Sequence, residues 1–203
     1  MGFGWLFIGY FFANVMAIYS VLSFAMLAGY PLMVIGLYKL SPYHARFRSL
    51  FFVSLLSLPF ALYYGIYGFS QLGFSAFDSI LSGIFFDTVQ WCYFAFAMAF
   101  HALLLYAIAG ISAELKLFSI QSAALRNLIL TMLYYVIDLV ARLPLTHSVQ
   151  QYFIMPLLLL RIITIFLNLY LIYRCYRYIC SEEENNAPVE QPGKKKSKKG
   201  EGK

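Results

Sequence analysis

Long apolar runs separated by short polar breaks make up most of the chain, and this alternation predicts its architecture. A bilayer core of about 30 Å requires roughly 20 apolar residues in a helix, and most of the runs approach that length. We therefore expect an all-α, polytopic transmembrane helical bundle of about six spans, with five as the alternative. The expected spans cover residues 5–19, 22–38, 49–69, 88–110, 127–141 (beginning about a turn earlier) and 152–173.

The first apolar run, Trp5 to Leu37, is 33 residues long and carries no formal charge. As one straight helix it would extend roughly 50 Å, which exceeds the bilayer core unless the helix is steeply tilted. We expect it to fold as a tight hairpin that turns near Tyr19 and Ser20 or at Ser23. The alternative is one long helix with a kink at Pro31, which reduces the bundle to five spans.

Polar residues also divide the chain into two regions. Residues 1–180 form the predicted bundle, and residues 181–203 form a charged tail with few apolar residues, which we expect to be disordered. The breaks expected within the bundle are residues 39–48, 70–87, 112–126 and 142–151, of which 112–126 is either a loop or an amphipathic helical connection.

Composition supports a membrane protein and indicates its orientation. Hydrophobic residues make up 62% of the chain and charged residues 12%, whereas soluble globular domains contain about 45–50% and about 25%. Thirteen of the 15 Lys and Arg lie in two alternate breaks and the C-terminal region, which share one side of a six-span bundle. Lys and Arg concentrate on the cytoplasmic side, so we expect a multi-pass plasma membrane protein with cytoplasmic termini. The lipid bilayer, and not nucleic acid, is its expected partner.

Charged residues inside apolar spans are costly and are functional candidates. Asp138 lies near the end of the fifth expected span and Arg161 lies early in the sixth, so we expect them to form an ion pair between neighbouring helices. Arg142 follows Asp138 by four residues and competes for it on the same helix face. The pair either fixes helix register or contributes to gating or solute contact; the remaining alternative is that the two side chains make no contact.

Other polar positions are expected inside the spans. His101 is near the middle of the fourth span, where we interpret it as a neutral side chain bonded to a neighbouring helix, with a proton relay or ligand contact as the alternative. Asn14 and Asn168 are expected to form interhelical hydrogen bonds. Small residues recur at a spacing of four, as in Gly9 and Ala13, and are expected to pack inside the bundle.

Motifs for catalysis or cofactor binding are absent from the sequence. There is no HExxH, GxSxG, GxGxxG or Walker loop. The three cysteines, Cys92, Cys175 and Cys180, have neither CxxC spacing nor a nearby pair of histidines, and Cys92 is expected to be buried among apolar residues. We therefore expect no enzymatic activity, no cofactor and no metal site.

Three stretches carry a resemblance to known proteins: GYPLMVIGLYKLSPY from Gly29, FHALLLYAIAGISAELKL from Phe100 and ALRNLILTMLYYVID from Ala124. Together they resemble a group of small, uncharacterised polytopic membrane proteins from bacteria, over roughly residues 3–175. The resemblance implies a bacterial plasma membrane and brings no established activity, ligand or catalytic residue.

Two functions follow from these expectations. The scarcity of polar residues favours a non-enzymatic protein that acts through membrane assembly or regulation of a partner, either another membrane protein or a second copy of the chain. The alternative is a small-solute transporter or channel component that uses the Asp138/Arg161 pair and His101.

Overall fold

The computed structural model describes residues 2–73, 81, 83–142 and 150–186. These residues form helices and no strand, so the all-α prediction is confirmed. The helices are α1 (Gly2–Tyr10), which continues as a π-helix (Phe11–Val15) and a 3-10 turn (Met16–Ile18), a 3-10 segment (Ser20–Ala25), α2 (Met26–Leu40), α3 (Ala45–Leu55), α4 (Ser57–Gln71), α5 (Gly83–Glu114), α6 (Phe118–Arg142) and α7 (Gln150–Asn186).

The first apolar run folds as the predicted hairpin. Tyr19 has an extended backbone between the two helical arms, and the arms lie antiparallel in very close contact. A Cβ atom added at Gly29 would lie 2.5 Å from the backbone nitrogen of Ala13, and one added at Gly9 would lie 2.6 Å from that of Met33. The alternative of one long helix is therefore wrong, and small residues allow the two backbones to approach.

The third apolar run is bent where α3 meets α4, by 41°. Pro59 lacks a backbone N–H, and its ring would clash with the carbonyl of Leu55, the last residue of α3. The hydroxyl of Ser54 donates to the carbonyl of Phe51, and that of Ser57 donates to the carbonyl of Ser54, both at 2.6 Å. Both bonds lie at the bend between the two helices.

The described chain thus contains six apolar segments: segment 1 (Gly2–Ile18), segment 2 (Leu22–Leu40), segment 3 (α3 with α4), and segments 4 to 6 (α5, α6 and α7). Four helices are long and apolar enough to cross a membrane, or five if the bent pair is one span, and segment 1 is a shorter apolar helix. These segments are those of a membrane protein.

The six segments form a closed ring in chain order. Each segment packs against the next, and segment 6 returns to segment 1, where the rings of Phe7 and Tyr173 lie 6.0 Å apart. Between segments 5 and 6, the amide of Asn127 donates to the carbonyl of Leu167 at 3.0 Å. The ring therefore has an interior that all six segments can line.

The half of this interior nearest the N-terminus and the end of α5 is filled by apolar side chains, which we term the apolar plug. Ile108 is fully buried at its centre. At the same end of the bundle, the Cζ atom of Arg46 lies 4.0 Å from the ring centroid of Tyr106. The Nε2 atom of His44 lies 3.2 Å from Oε1 of Glu114. The plug comprises Phe3, Leu6, Leu37, Phe47, Leu104, Ile108, Leu171 and Ile172, each at most 1% exposed.

Several predicted boundaries differ from the structure. The break expected at 112–126 is only the turn at 115–117, where Lys116 has a φ of 56°. Glu114 and Arg126 lie within α5 and α6, because a helix can continue where it leaves the apolar layer. Helix α7 continues to Asn186, six residues into the predicted tail, and the rest of the tail lies outside the described residues. Much of the breaks at 70–87 and 142–151 also lies outside them.

Candidate functional site

A polar cavity of about 280 Å³ occupies the other half of the ring interior. Side chains from all six segments line it. This volume is close to the lower limit of small-molecule pockets, which is about 300 Å³. All six polar residues singled out from the sequence line this cavity: Asn14, His101, Asp138, Arg142, Arg161 and Asn168.

The cavity has a mouth and a floor. Arg142, the last residue of α6, has a side chain that is 37% exposed, whereas Thr131 on the same helix is only 3% exposed. Eleven residues of helix separate the two, which is about 16 Å along the axis. The apolar plug lies beyond the floor, so the cavity is accessible from the end that carries Arg142.

Asp138 pairs with Arg142 and not with Arg161, which corrects the prediction of an interhelical pair. Its Oδ2 atom lies 3.1 Å from Nη2 and 3.2 Å from Nε of Arg142. Thr131 on α6 and Asn168 on α7 are in contact. Asp138 is seven residues from Thr131 toward the mouth, and Arg161 is seven residues from Asn168 in the same direction. They therefore lie at one level, but Arg142 sits one turn away on the same helix face and occupies the carboxylate.

Arg161 is half-buried in the cavity wall. Among the residues that the structure describes, no carboxylate pairs with its guanidinium and no hydrogen bond to the guanidinium is formed. Among the described residues, the lining contains two arginines and one aspartate. These side chains give the described lining a net positive charge.

Three side chains from different segments meet at the floor. The amide nitrogen of Asn168 donates to the hydroxyl of Tyr10 at 3.3 Å and to that of Thr131 at 3.2 Å. The amide oxygen of Asn168 is buried and accepts no hydrogen bond within the described part of the chain. Asn168 thus makes the predicted interhelical bonds and leaves one acceptor at the floor.

His101 contributes a second acceptor. Its Nδ1 atom lies 2.7 Å from the carbonyl oxygen of Ala97 and 3.0 Å from the hydroxyl of Tyr135 on the next helix. Because a carbonyl only accepts, Nδ1 carries the proton of a neutral ring and Nε2 is the acceptor. No hydrogen bond to Nε2 is formed among the described residues.

Asn14 lines the cavity through the irregular part of segment 1. Its amide nitrogen donates to the carbonyl of Tyr10 at 3.2 Å, a local bond that competes with the helix ladder. This bond lies where the α-helix widens into the π-helix. Asn14 therefore bonds within its own segment, in contrast to the predicted interhelical bond.

The aromatic and hydroxyl part of the lining was not predicted, because these side chains carry no formal charge. A usable signal was present in the spacing of polar residues at three or four, which places them on one helix face. Such stripes occur on α6 and α7: Thr131, Tyr135, Asp138 and Arg142; Arg161, Thr164 and Asn168. On α5, Gln90 and Tyr93 are three residues apart, and His101 follows about two turns later on the same face.

Metal-binding and thiol chemistry find little support in the described residues. No group of three or more His, Cys, Asp or Glu is arranged to hold a metal ion there. Cys92 is exposed on the outside of α5, so its predicted burial is wrong, whereas Cys175 is buried. Cys180 has no described side chain. The polar cavity is therefore the candidate site.

No protein-family model matches the sequence, no curated protein is significantly similar to it, and no solved structure matches it significantly. The resemblance to small bacterial membrane proteins therefore stays a prediction. We therefore infer the function of the protein from the geometry of the polar cavity.

Proposed function

We propose that this protein is a non-enzymatic, small-solute binding protein of the plasma membrane, acting as a transporter or channel component. The observation that carries this proposal is the convergence of all six polar candidates on one cavity that the apolar plug closes at its inner end. Burial of polar groups in a bilayer is costly. A shared cavity that admits a solute gives these side chains a common role.

The proposed orientation places the mouth outside the cell. Residues near the mouth, such as Arg142, lie at the opposite end of the bundle from Arg46, Lys116 and the C-terminal end of α7. The positive-inside rule then places both termini in the cytoplasm. A solute would enter from the outer side, and its passage would require the plug to rearrange.

Assembly or partner regulation is the other function expected from the sequence. That expectation relied on scarce polar lining, whereas the structure gathers the polar side chains around one cavity. Few positions of the apolar stretches in segments 5 and 6 are buried in the bundle, 22% and 28% of them respectively. Lipid covers such a surface as well as a protein partner does, so solute binding is the better-supported proposal.

Filling the cavity tests the proposal. Ala97 lines it and is 7% exposed, whereas Ala99, two residues along α5, faces outward. We expect Ala97→Leu to abolish stoichiometric binding of a small molecule that copurifies from the native membrane, as measured by native mass spectrometry. Ala99→Leu should leave it unchanged, because its side chain projects into lipid.

Two outcomes would contradict this expectation while both variants remain folded. One is a small molecule retained equally by Ala97→Leu and Ala99→Leu, which would place its site elsewhere. The other is a defined complex with another protein or a second copy, with no small molecule bound to the wild type. The second outcome would favour assembly.

A further inference from the structure

We infer that the ligand of the polar cavity is a small organic anion that carries a hydrogen-bond donor at its far end. In this arrangement Arg161 binds the anionic group, a carboxylate or phosphate, near the mouth. Asn168 and His101 accept from the donor, an ammonium or hydroxyl group, at the floor. This inference rests on the proposed solute-binding function and specifies its substrate class.

The guanidinium of Arg161, unpaired among the described residues, indicates that the ligand carries an anionic group. A guanidinium within a membrane bundle is normally paired, yet Asp138, the carboxylate in the described part of the lining, is occupied by Arg142. The planar guanidinium forms two parallel hydrogen bonds to carboxylate or phosphate. A bound anion would therefore neutralise the net positive charge of the described lining and satisfy the half-buried side chain.

The acceptors at the floor of the cavity indicate that the ligand carries a hydrogen-bond donor. The Oδ1 atom of Asn168 and the Nε2 atom of His101 accept no hydrogen bond from any described residue, and both residues line the cavity at no more than 8% exposure. A buried acceptor without a partner is unfavourable, and of these two atoms the Oδ1 of Asn168 is buried. A ligand that brings a donor to the floor would satisfy both.

The separation of the two subsites sets the shape of the ligand. Arg161 and Asn168 lie seven residues apart on α7, two helical turns or about 10 Å along the axis. This backbone separation leads us to expect the anion and the donor at opposite ends of a short chain. The tyrosine rings between these levels, Tyr134 and Tyr135, are suited to contact with that chain.

A set of three probes tests this inference on the purified full-length protein. The probe ε-aminocaproate carries both groups, caproate lacks the donor and n-hexylamine lacks the anion. We expect ε-aminocaproate to give the largest increase in unfolding temperature and the highest affinity by calorimetric titration. The Arg161→Gln variant should lower that affinity about tenfold or more, because a charge-assisted pair is lost.

Matched variants separate the two subsites. Arg126→Gln removes an exposed arginine on α6 outside the cavity and should leave binding unchanged. Thr131→Val disturbs Asn168 with little change of shape and should reduce the preference for ε-aminocaproate over caproate. Asn168→Leu removes the floor acceptor directly, and Thr131→Val tests the same subsite if Asn168→Leu does not fold.

Each outcome has a distinct meaning. Equal binding of all three probes, or tighter binding of n-hexylamine, would overturn the anion-and-donor inference while leaving a solute-binding cavity. A native ligand that is lost in Ala97→Leu but kept in Arg161→Gln would do the same. A phospholipid mass lost in Arg161→Gln would support the anion subsite and identify its source as a lipid headgroup. No small ligand at all would contradict the proposed function as well.

Discussion

Replacing Tyr10 with alanine is expected to destabilise the folded bundle by about 3–5 kcal/mol, the range for removing a large aromatic ring from a packed core. Tyr10 is fully buried, and its hydroxyl accepts a hydrogen bond from Asn168. Its ring contacts that of His101 edge-on at 5.6 Å. The side chain thus joins segments 1, 4 and 6 across the ring interior. Thermal or denaturant unfolding in a fixed detergent measures the loss.

Two further variants separate packing from hydrogen bonding at this position. Tyr10→Phe keeps the ring and removes one acceptor, so it should cost only about 0.6 kcal/mol, the average for such bonds in a membrane protein. Tyr170→Ala removes a tyrosine that is 61% exposed and should change stability by less than about 0.5 kcal/mol. Equal effects of Tyr10→Ala and Tyr170→Ala would show that Tyr10 does not occupy a packed interior.

Gly29→Ala is the second substitution with a large expected effect. The added Cβ would meet the backbone nitrogen, Cα and Cβ of Ala13 at 2.5, 2.9 and 2.9 Å. Backbone atoms cannot move aside as a side-chain end can, so the two arms of the hairpin must separate. We expect a loss of about 1–3 kcal/mol, as for other overpacked sites, with a lower unfolding temperature in detergent.

Gly4→Ala is the matched control within the same hairpin. A Cβ atom at Gly4 would lie 3.4 Å from the ring of Tyr176, an ordinary contact. Because alanine favours helix over glycine, Gly4→Ala should be neutral or slightly stabilising. A loss at Gly4 as large as that at Gly29 would refute the close approach of the two arms.

The helical bundle was predictable because it depends on local properties of the chain. Run length and hydropathy identify helices that suit a bilayer, and the hairpin at Tyr19 follows from a run too long for one span. The boundaries near Lys116 were less accurate, since charge marks where a helix leaves the membrane and not where it ends. The bend near Pro59 was not predicted, because proline within a membrane helix does not always bend it.

The polar cavity could be predicted only in part. Intramembrane charge marked Asp138, Arg161 and His101, and all three line it. The Asp138–Arg142 pair is local, and the spacing of four on one helix already allowed it. The contacts of Tyr10 with Asn168 and His101 depend on which segments meet across the ring, which no local pattern contains.

Thiol labelling at the cavity floor is the most direct test of a solute cavity that opens outward above an apolar plug. Thr131→Cys and Ile108→Cys would each be introduced into a background without Cys92, Cys175 and Cys180, and treated in intact cells with a membrane-impermeant thiol reagent. We expect Thr131→Cys to react from the outer side, with the reaction suppressed by added Ala97→Leu, and Ile108→Cys to remain unmodified. Reaction of Thr131→Cys only from the side of the tail, or equal reaction at both positions, would contradict the account.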